Sequence, residues 1–138
     1  MIISKDIKFD CAHMLSNYEG KCANLHGHTY HGTVTISGMS DGGTSMLVDY
    51  NDIKRVVDMF DHAIVFSAAN RRNPAETELY EWANRFNMKH VEMPIGKSTA
   101  ENMAAYISAM FLEYPHVINV HVRLSETDGS WAETEDTK

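Results

Sequence analysis

The chain is poor in cysteine, in basic residues and in long apolar runs, and each shortage narrows what it does. Its two cysteines, Cys11 and Cys22, are too few for a disulfide framework, so a core rather than crosslinks has to stabilise a chain of this size. Twelve Lys and Arg against 19 Asp and Glu leave a formal net charge of -7. Phosphate backbones are bound by concentrated positive charge, so no nucleic-acid partner is expected and a small molecule is. No apolar run approaches the roughly 18 residues needed to span a bilayer. The opening residues, Met1 to Asp6, also lack the charged start and apolar stretch of a secretion signal. The expected location is the cytoplasm, with no membrane partner.

What is present suffices for one core. With 138 residues, 43% of them hydrophobic, a single domain over residues 1–138 is expected. Partial alternation over residues 2–13, with Ile3, Ile7 and Phe9, predicts a strand, followed by a loop at residues 16–21. From His26 to Ser37, His28, Tyr30, Val34 and Ile36 share one parity and Thr29, His31, Thr33 and Thr35 the other, which predicts a second strand paired with the first. Asp49 is placed to cap a helix carrying Ile53, Val56, Val57 and Phe60 at helical spacing. A second helix is expected from Pro74 to about Asn87. Ser98-Thr99-Ala100-Glu101 reads as a capping box opening a third helix that reaches about Leu112. Residues 117–126 alternate again, predicting an edge or one-face-solvated strand. Residues 127–138, acidic and short of apolar side chains, read as a loosely ordered tail. This order implies an α+β domain with helices covering one face of a mainly antiparallel sheet. The bare face and open strand edges favour an oligomer.

His26-Gly27-His28 carries the most chemical information. Residues two apart on a strand project to one face and offer two imidazoles to one ion. His13, at the end of the neighbouring strand, supplies a third, and three neutral imidazoles with an open position suit catalytic zinc. Gly27 is expected to permit close approach around the ion, and nearby acids to orient the rings. His31 belongs to the opposite face, while His90, His116 and His121 read as surface or polar-network residues. Cys22, four residues before His26, is the candidate general base; Cys11, among apolar neighbours, reads as an inert buried thiol. Asp61-His62 can deliver an imidazole from a loop. A carboxylate such as Glu126 can take two hydrogen bonds from an amidine-like heterocycle edge, whereas Glu101 has a simpler duty in the capping box.

Phe9-Asp10-Cys11-Ala12-His13, Cys22-x-x-x-His26-Gly27-His28, Asp49-Tyr50, Asp61-His62, Ser98-Thr99-Ala100-Glu101-Asn102 and Ser125-Glu126-Thr127 occur in this order along the chain. The series resembles the 6-pyruvoyl-tetrahydropterin synthase superfamily over nearly the whole length. The three-residue interval between cysteine and His-Gly-His is similar to that of 6-carboxy-tetrahydropterin synthases of the queuosine (7-deazaguanine) pathway. The resemblance implies a tunnelling fold: an antiparallel four-stranded sheet with helices on one face, three subunits closing a barrel, two trimers forming a homohexamer, and active sites between subunits. It implies zinc on His13, His26 and His28; Cys22 as base with Asp61 and His62; and Glu126, with Thr99 and Glu101, holding the pterin. The implied substrate is 7,8-dihydroneopterin triphosphate and the product 6-carboxy-5,6,7,8-tetrahydropterin, with acetaldehyde and triphosphate released. A pyruvoyl-forming enzyme, a side-chain aldolase and a non-catalytic zinc-holding pterin or purine binder are the alternatives. The chain departs from the family in lacking Leu-Asn soon after Asp61-His62, and in a long segment at residues 67–97. Lys21, Arg71, Arg72 and Lys97 are candidate triphosphate contacts, although solvated surface charge is the simpler reading for any one of them.

Overall fold

The structure, a computed structural model, describes residues 1–138. Two long strands, β1 (Ile2–His13) and β2 (His26–Gly38), pair antiparallel from Ile2 opposite Ser37 to His13 opposite His26. β5 (Val117–Thr127) pairs with the other side of β2, and β6 (Ser130–Thr137) with the far side of β5, all antiparallel. These four form the expected antiparallel sheet. Beyond β1, the short strands β3 (Ala63–Phe66) and β4 (His90–Glu92) add in parallel, giving a six-stranded sheet in the order β4-β3-β1-β2-β5-β6.

Two expectations for the C-terminal region are corrected. Residues 130–137 are the strand β6 rather than a loose tail, and of the two alternatives expected for β5 the edge position fails, since it lies inside the sheet, while the one-face-solvated strand holds, with Val120, Val122 and Leu124 buried and Arg123 exposed on the other face. β6 has little hydrophobicity but clean alternation: Ala132, Thr134 and Asp136 are half-buried while Trp131, Glu133 and Glu135 are exposed. The turn through Gly129, at φ 80°, reverses the chain into it.

The helices follow the sequence closely. α1 (Tyr50–Asp58) is capped by Asp49, whose carboxylate accepts the Asn51 N–H at 2.8 Å, and it buries Ile53 and Val57. α2 (Pro74–Arg85) starts with Pro74 in its first turn, behind an Asn73 cap that accepts the Glu76 N–H at 2.9 Å. α3 (Ala100–Leu112) is capped by Thr99, not Ser98, with the hydroxyl accepting the Asn102 N–H at 3.3 Å. The capping box is thereby corrected: Glu101 has no bond back to the cap and stands exposed near the helix start.

The core lies between the sheet and helices α1 and α3, from Phe9 stacked on Tyr30 (centroids 5.1 Å) to Phe60 of the α1 end, Ile107 and Phe111 of α3, and Val120, Val122 and Leu124 of β5. Each such side chain contributes about 1.5–3 kcal/mol on burial. The sheet face away from these helices carries Lys8, His31 and Ser125 in one cross-strand row and Asp6, Thr33, Arg123 and Glu133 in the next. No helix is long and apolar enough to cross a membrane.

The segment 67–97 is not a floppy insertion. Glu76 of α2 is fully buried and accepts from the Ser16 hydroxyl and, at 2.7 Å, from the Ser67 N–H, while the Asn73 N–H donates to Ser16 Oγ at 3.0 Å. One carboxylate thus ties the loop after β1 to the end of β3. A buried carboxyl group persists only when hydrogen-bonded in this way.

Candidate metal centre and substrate cleft

The β1–β2 register decides the site. His13 sits directly opposite His26, and the two-residue step to His28 returns to the same face, which is the helix-covered one. The rings gather with centroids 4.7 Å apart for His13 and His26, 4.8 Å for His26 and His28, and 5.3 Å for His13 and His28. His13 Nδ1 lies 2.5 Å from the Ser98 carbonyl oxygen and His26 Nδ1 lies 2.7 Å from that of Asn24. A carbonyl only accepts, so each Nδ1 carries its ring's proton and each Nε2 presents a lone pair. The buried Nε2 atoms of His13, His26 and His28 have no hydrogen-bond partner. Three orphaned imidazole nitrogens converging on one point are the chemistry of a metal site. Together with Glu126 their ligand atoms lie within 4.8 Å of one another, and the group could hold a metal ion.

Two details differ from the sequence reading. Backbone carbonyls, not acidic side chains, orient His13 and His26, and Ser98, the residue expected to cap α3, supplies one of them. Gly27 faces away from the histidines. A Cβ there would stand 3.2 Å from the Cys11 carbonyl oxygen, so its smallness serves strand packing rather than approach to an ion.

Glu126 closes the cluster from β5, its Oε1 lying 2.7 Å from His28 Nε2 and 3.1 Å from His13 Nε2, and it takes a 3.4 Å hydrogen bond from the Tyr30 hydroxyl. Contact with the His13 ring is the largest influence holding the Glu126 carboxyl below the usual carboxylate range, against burial, which raises it. Burial, opposed by Glu126, lowers the pKa of His28, favouring the neutral ring that binds metals. Burial also raises the Tyr30 hydroxyl, keeping it a donor. Glu126 also lines a cleft of about 140 Å³ shared with Glu101, Leu124, Thr127 and Trp131. The sequence placed Glu126 on a substrate; it continues the inward parity of Val120, Val122 and Leu124, but its contact with the histidines depends on the β2–β5 register, which no local pattern encodes.

The proposed base and its partners lie apart. Cys22 is half-buried on a single 3-10 turn (Lys21–Ala23), its carbonyl accepting the Leu15 N–H at 2.9 Å, and it is no member of the metal cluster. Asp61 and His62 sit at the start of β3. Asp61 Oδ1 accepts the Asp10 N–H at 2.9 Å, its Oδ2 lies 2.9 Å from His62 Nδ1, and the His62 side chain is 77% exposed. The Asp10 N–H and then the His62 ring lower the Asp61 pKa. His62 adopts φ 59°, uncommon for a residue with a side chain. It borders a broad cleft of about 480 Å³ whose lining takes in Asp10, Ala12, Gly27 and Thr29, of the strand parity opposite to the histidines, and also Cys11 and His28. Asp61 and His62 are not members of the metal cluster, and the cleft that His62 borders reaches it only at His28.

Of the remaining candidates, Cys11 is buried and its thiol is pushed up to about 12, chiefly by burial, as an inert cysteine would be. Arg72 is committed to structure: it stacks 3.9 Å from the Tyr80 ring centre and pairs with Glu92 at 2.9 Å. Lys21 and Arg71 are exposed and Lys97 partly so.

Fold and site together define a class: an α+β protein whose strand-borne imidazoles and neighbouring carboxylate form a cluster that could hold a metal ion beside a small cleft. Residues 2–137 match the family described as 6-pyruvoyl tetrahydropterin synthase, and the chain belongs to that family. It is 34% identical to the 6-carboxy-5,6,7,8-tetrahydropterin synthase of Haemophilus influenzae, across 97% of this chain and 98% of that protein. It is also 34% identical to a putative 6-carboxy-5,6,7,8-tetrahydropterin synthase of Pyrococcus abyssi, across 91% and 84%. Among solved structures, an uncharacterized protein from Wolinella succinogenes aligns with a TM-score of 0.69 at 20% identity, covering 99% of this chain and 98% of that one. The 6-pyruvoyl tetrahydropterin synthase of Plasmodium falciparum aligns at 0.64 and 17%, covering 100% and 98%. These neighbours bear out the tunnelling fold.

Proposed function

We propose that the protein converts 7,8-dihydroneopterin triphosphate to 6-carboxy-5,6,7,8-tetrahydropterin, releasing acetaldehyde and triphosphate, as a zinc-dependent carbon-carbon lyase of 7-deazaguanine (queuosine) biosynthesis. The observation that carries this reading is the convergence of the three Nε2 atoms beside a cleft bordered by Glu126 and Glu101. The full-length likeness to proteins named for this activity narrows the reaction.

His13, His26 and His28 would hold the zinc, which when bound acidifies substrate hydroxyls and stabilises oxygen charge developing on them. Glu126 takes the donor edge of the pterin in the adjoining cleft. Glu101, released from capping, and Thr99 border the same end of α3, so the helix start contributes to substrate binding. Cys22 removes and returns protons at the substrate side chain. Asp61, ionised at neutral pH, fixes the His62 proton on Nδ1 and leaves Nε2 free to exchange one. Because His62 is exposed and stands outside its own chain's metal cluster, we infer that the working site pairs Cys22 and the histidines with the partner subunit's Asp61 and His62. That arrangement fits a cytoplasmic homohexamer of two trimers with interfacial sites.

The test is mass-spectrometric product analysis of zinc-loaded protein and a Cys22→Ala variant given 7,8-dihydroneopterin triphosphate. Carboxy-tetrahydropterin and acetaldehyde from the native protein, lost in the variant, are the expected result. A pyruvoyl product assigns the protein to the other branch of its family. Unchanged substrate with zinc bound points to a binding protein without turnover.

A further inference from the structure

Anchoring a pterin explains why Glu126 borders the cleft, but not why its carboxylate lies on the histidines. Oε1 approaches two imidazole nitrogens at once, at 2.7 and 3.1 Å, without forming a hydrogen bond to either. The His13 ring proton is engaged by the Ser98 carbonyl. Its Nε2 therefore meets a carboxylate oxygen, and such a contact is attractive only with a cation, proton or metal, between the two atoms. A single proton serves one such contact, whereas here one oxygen meets two nitrogens and the third, His26 Nε2, points to the same place. Two ligands of one tetrahedral zinc, each about 2.1 Å from the ion, stand roughly 3.4 Å apart. Oε1 needs to withdraw by only about half an ångström to occupy a fourth position.

We propose that Glu126 is an exchangeable fourth ligand: without substrate its carboxylate closes the metal site formed by His13, His26 and His28, and pterin entry displaces it into the adjoining cleft. This deepens the functional reading above and rests on its metal site. Three features suit an exchange. Glu126 already borders both positions, metal cluster and cleft. It lies at the irregularity in β5–β6 pairing between Leu124 and Thr127, where the strand is less constrained. The buried Tyr30 hydroxyl, 3.4 Å from Oε1, offers a donor that steadies the carboxylate beside the metal. Four protein ligands make a closed site; chemistry on substrate hydroxyls requires an open one. Binding the ring with the very group that blocks the metal means that only a correctly seated pterin uncovers it.

The experiment loads the full-length protein with Co²⁺, whose visible spectrum reports coordination, and compares wild type with Glu126→Gln and Glu126→Ala. Metal retention is measured by chelator competition, and circular dichroism checks that each variant is folded. Wild type is expected to give a carboxylate-ligated spectrum that changes on saturation with dihydroneopterin, binding being followed by pterin fluorescence. Both variants should lack the initial spectrum and hold metal about ten-fold or more weakly. Identical spectra and retention in wild type and variants would overturn the ligand assignment while leaving the three-histidine site intact. An unchanged wild-type spectrum with dihydroneopterin bound would overturn the exchange. A wild type that takes up no Co²⁺ would overturn the metal reading itself, and this inference with it.

Discussion

The two parts of the proposed machinery are built differently. The metal cluster is assembled inside one chain: His13 is 1% exposed, paired in register with His26 across β1 and β2, and tethered to the start of α3 through Ser98. The Asp61–His62 corner hangs on a few bonds at the first residues of β3, with the imidazole in solvent and its backbone in a left-handed conformation. Groups that must hold an ion are fixed before anything binds. On the proposed reading, the groups that move protons stand exposed, open to a second subunit.

The sharpest way to break this contrast is at its rigid end. His13→Ala should abolish stoichiometric metal binding, lower turnover by about 10³-fold or more, and cost about 2 kcal/mol or more of stability by opening a cavity and orphaning the Ser98 carbonyl. Metal content and urea denaturation check both effects. At the 3-10 turn and the exposed corner, Cys22→Ala and His62→Ala should each cost about 10²–10⁴-fold in turnover with folding unchanged. Refolding the two inactive variants together should restore part of the activity, because mixed interfaces bring an intact Cys22 to an intact His62; no recovery would mean that each site is made within one chain.

Glu76 braces the loop after β1 against the end of β3, so it tests how far the metal cluster depends on bracing outside it. Glu76→Ala leaves the Ser16 hydroxyl and the Ser67 N–H unpaired in the interior and should destabilise by about 3 kcal/mol, seen as a fall in Tm. Metal stoichiometry should survive at temperatures where the variant is folded. The smallest effect is expected at Asp61. Its folded-state pKa is depressed, so its contribution to stability is present above the ordinary carboxylate pKa and disappears as pH falls through the lowered value. The Tm difference between wild type and Asp61→Asn should accordingly narrow on acidification below about pH 3.9.

Where periodicity was strong, the sequence anticipated the fold: β1, β2 and all three helices stand within a few residues of their expected bounds. The three histidines were legible because a strand's two-residue repeat fixes the side on which a ligand emerges. β3 and β4 were missed because four and three residues carry too little pattern. β6 was missed because its inward positions, Ala132, Thr134 and Asp136, are small or polar. The cap of α3 moved from Ser98 to Thr99 for a tertiary reason. Ser98 is buried, its hydroxyl donates to the Met14 carbonyl at 3.3 Å and its own carbonyl orients His13, ties that no local motif encodes.

The sheet face opposite the helices has a further consequence. Its cross-strand rows are laced by polar contacts, Ser4 to Thr35 at 2.9 Å, Thr33 to Asp6 at 3.1 Å and Arg123 near Glu133 at 3.7 Å. Such a surface stays hydrated whatever stands across from it. If three such sheets curve into a ring, the bore they enclose is an aqueous passage rather than a second core, and cohesion between subunits must come from the strand edges and rims.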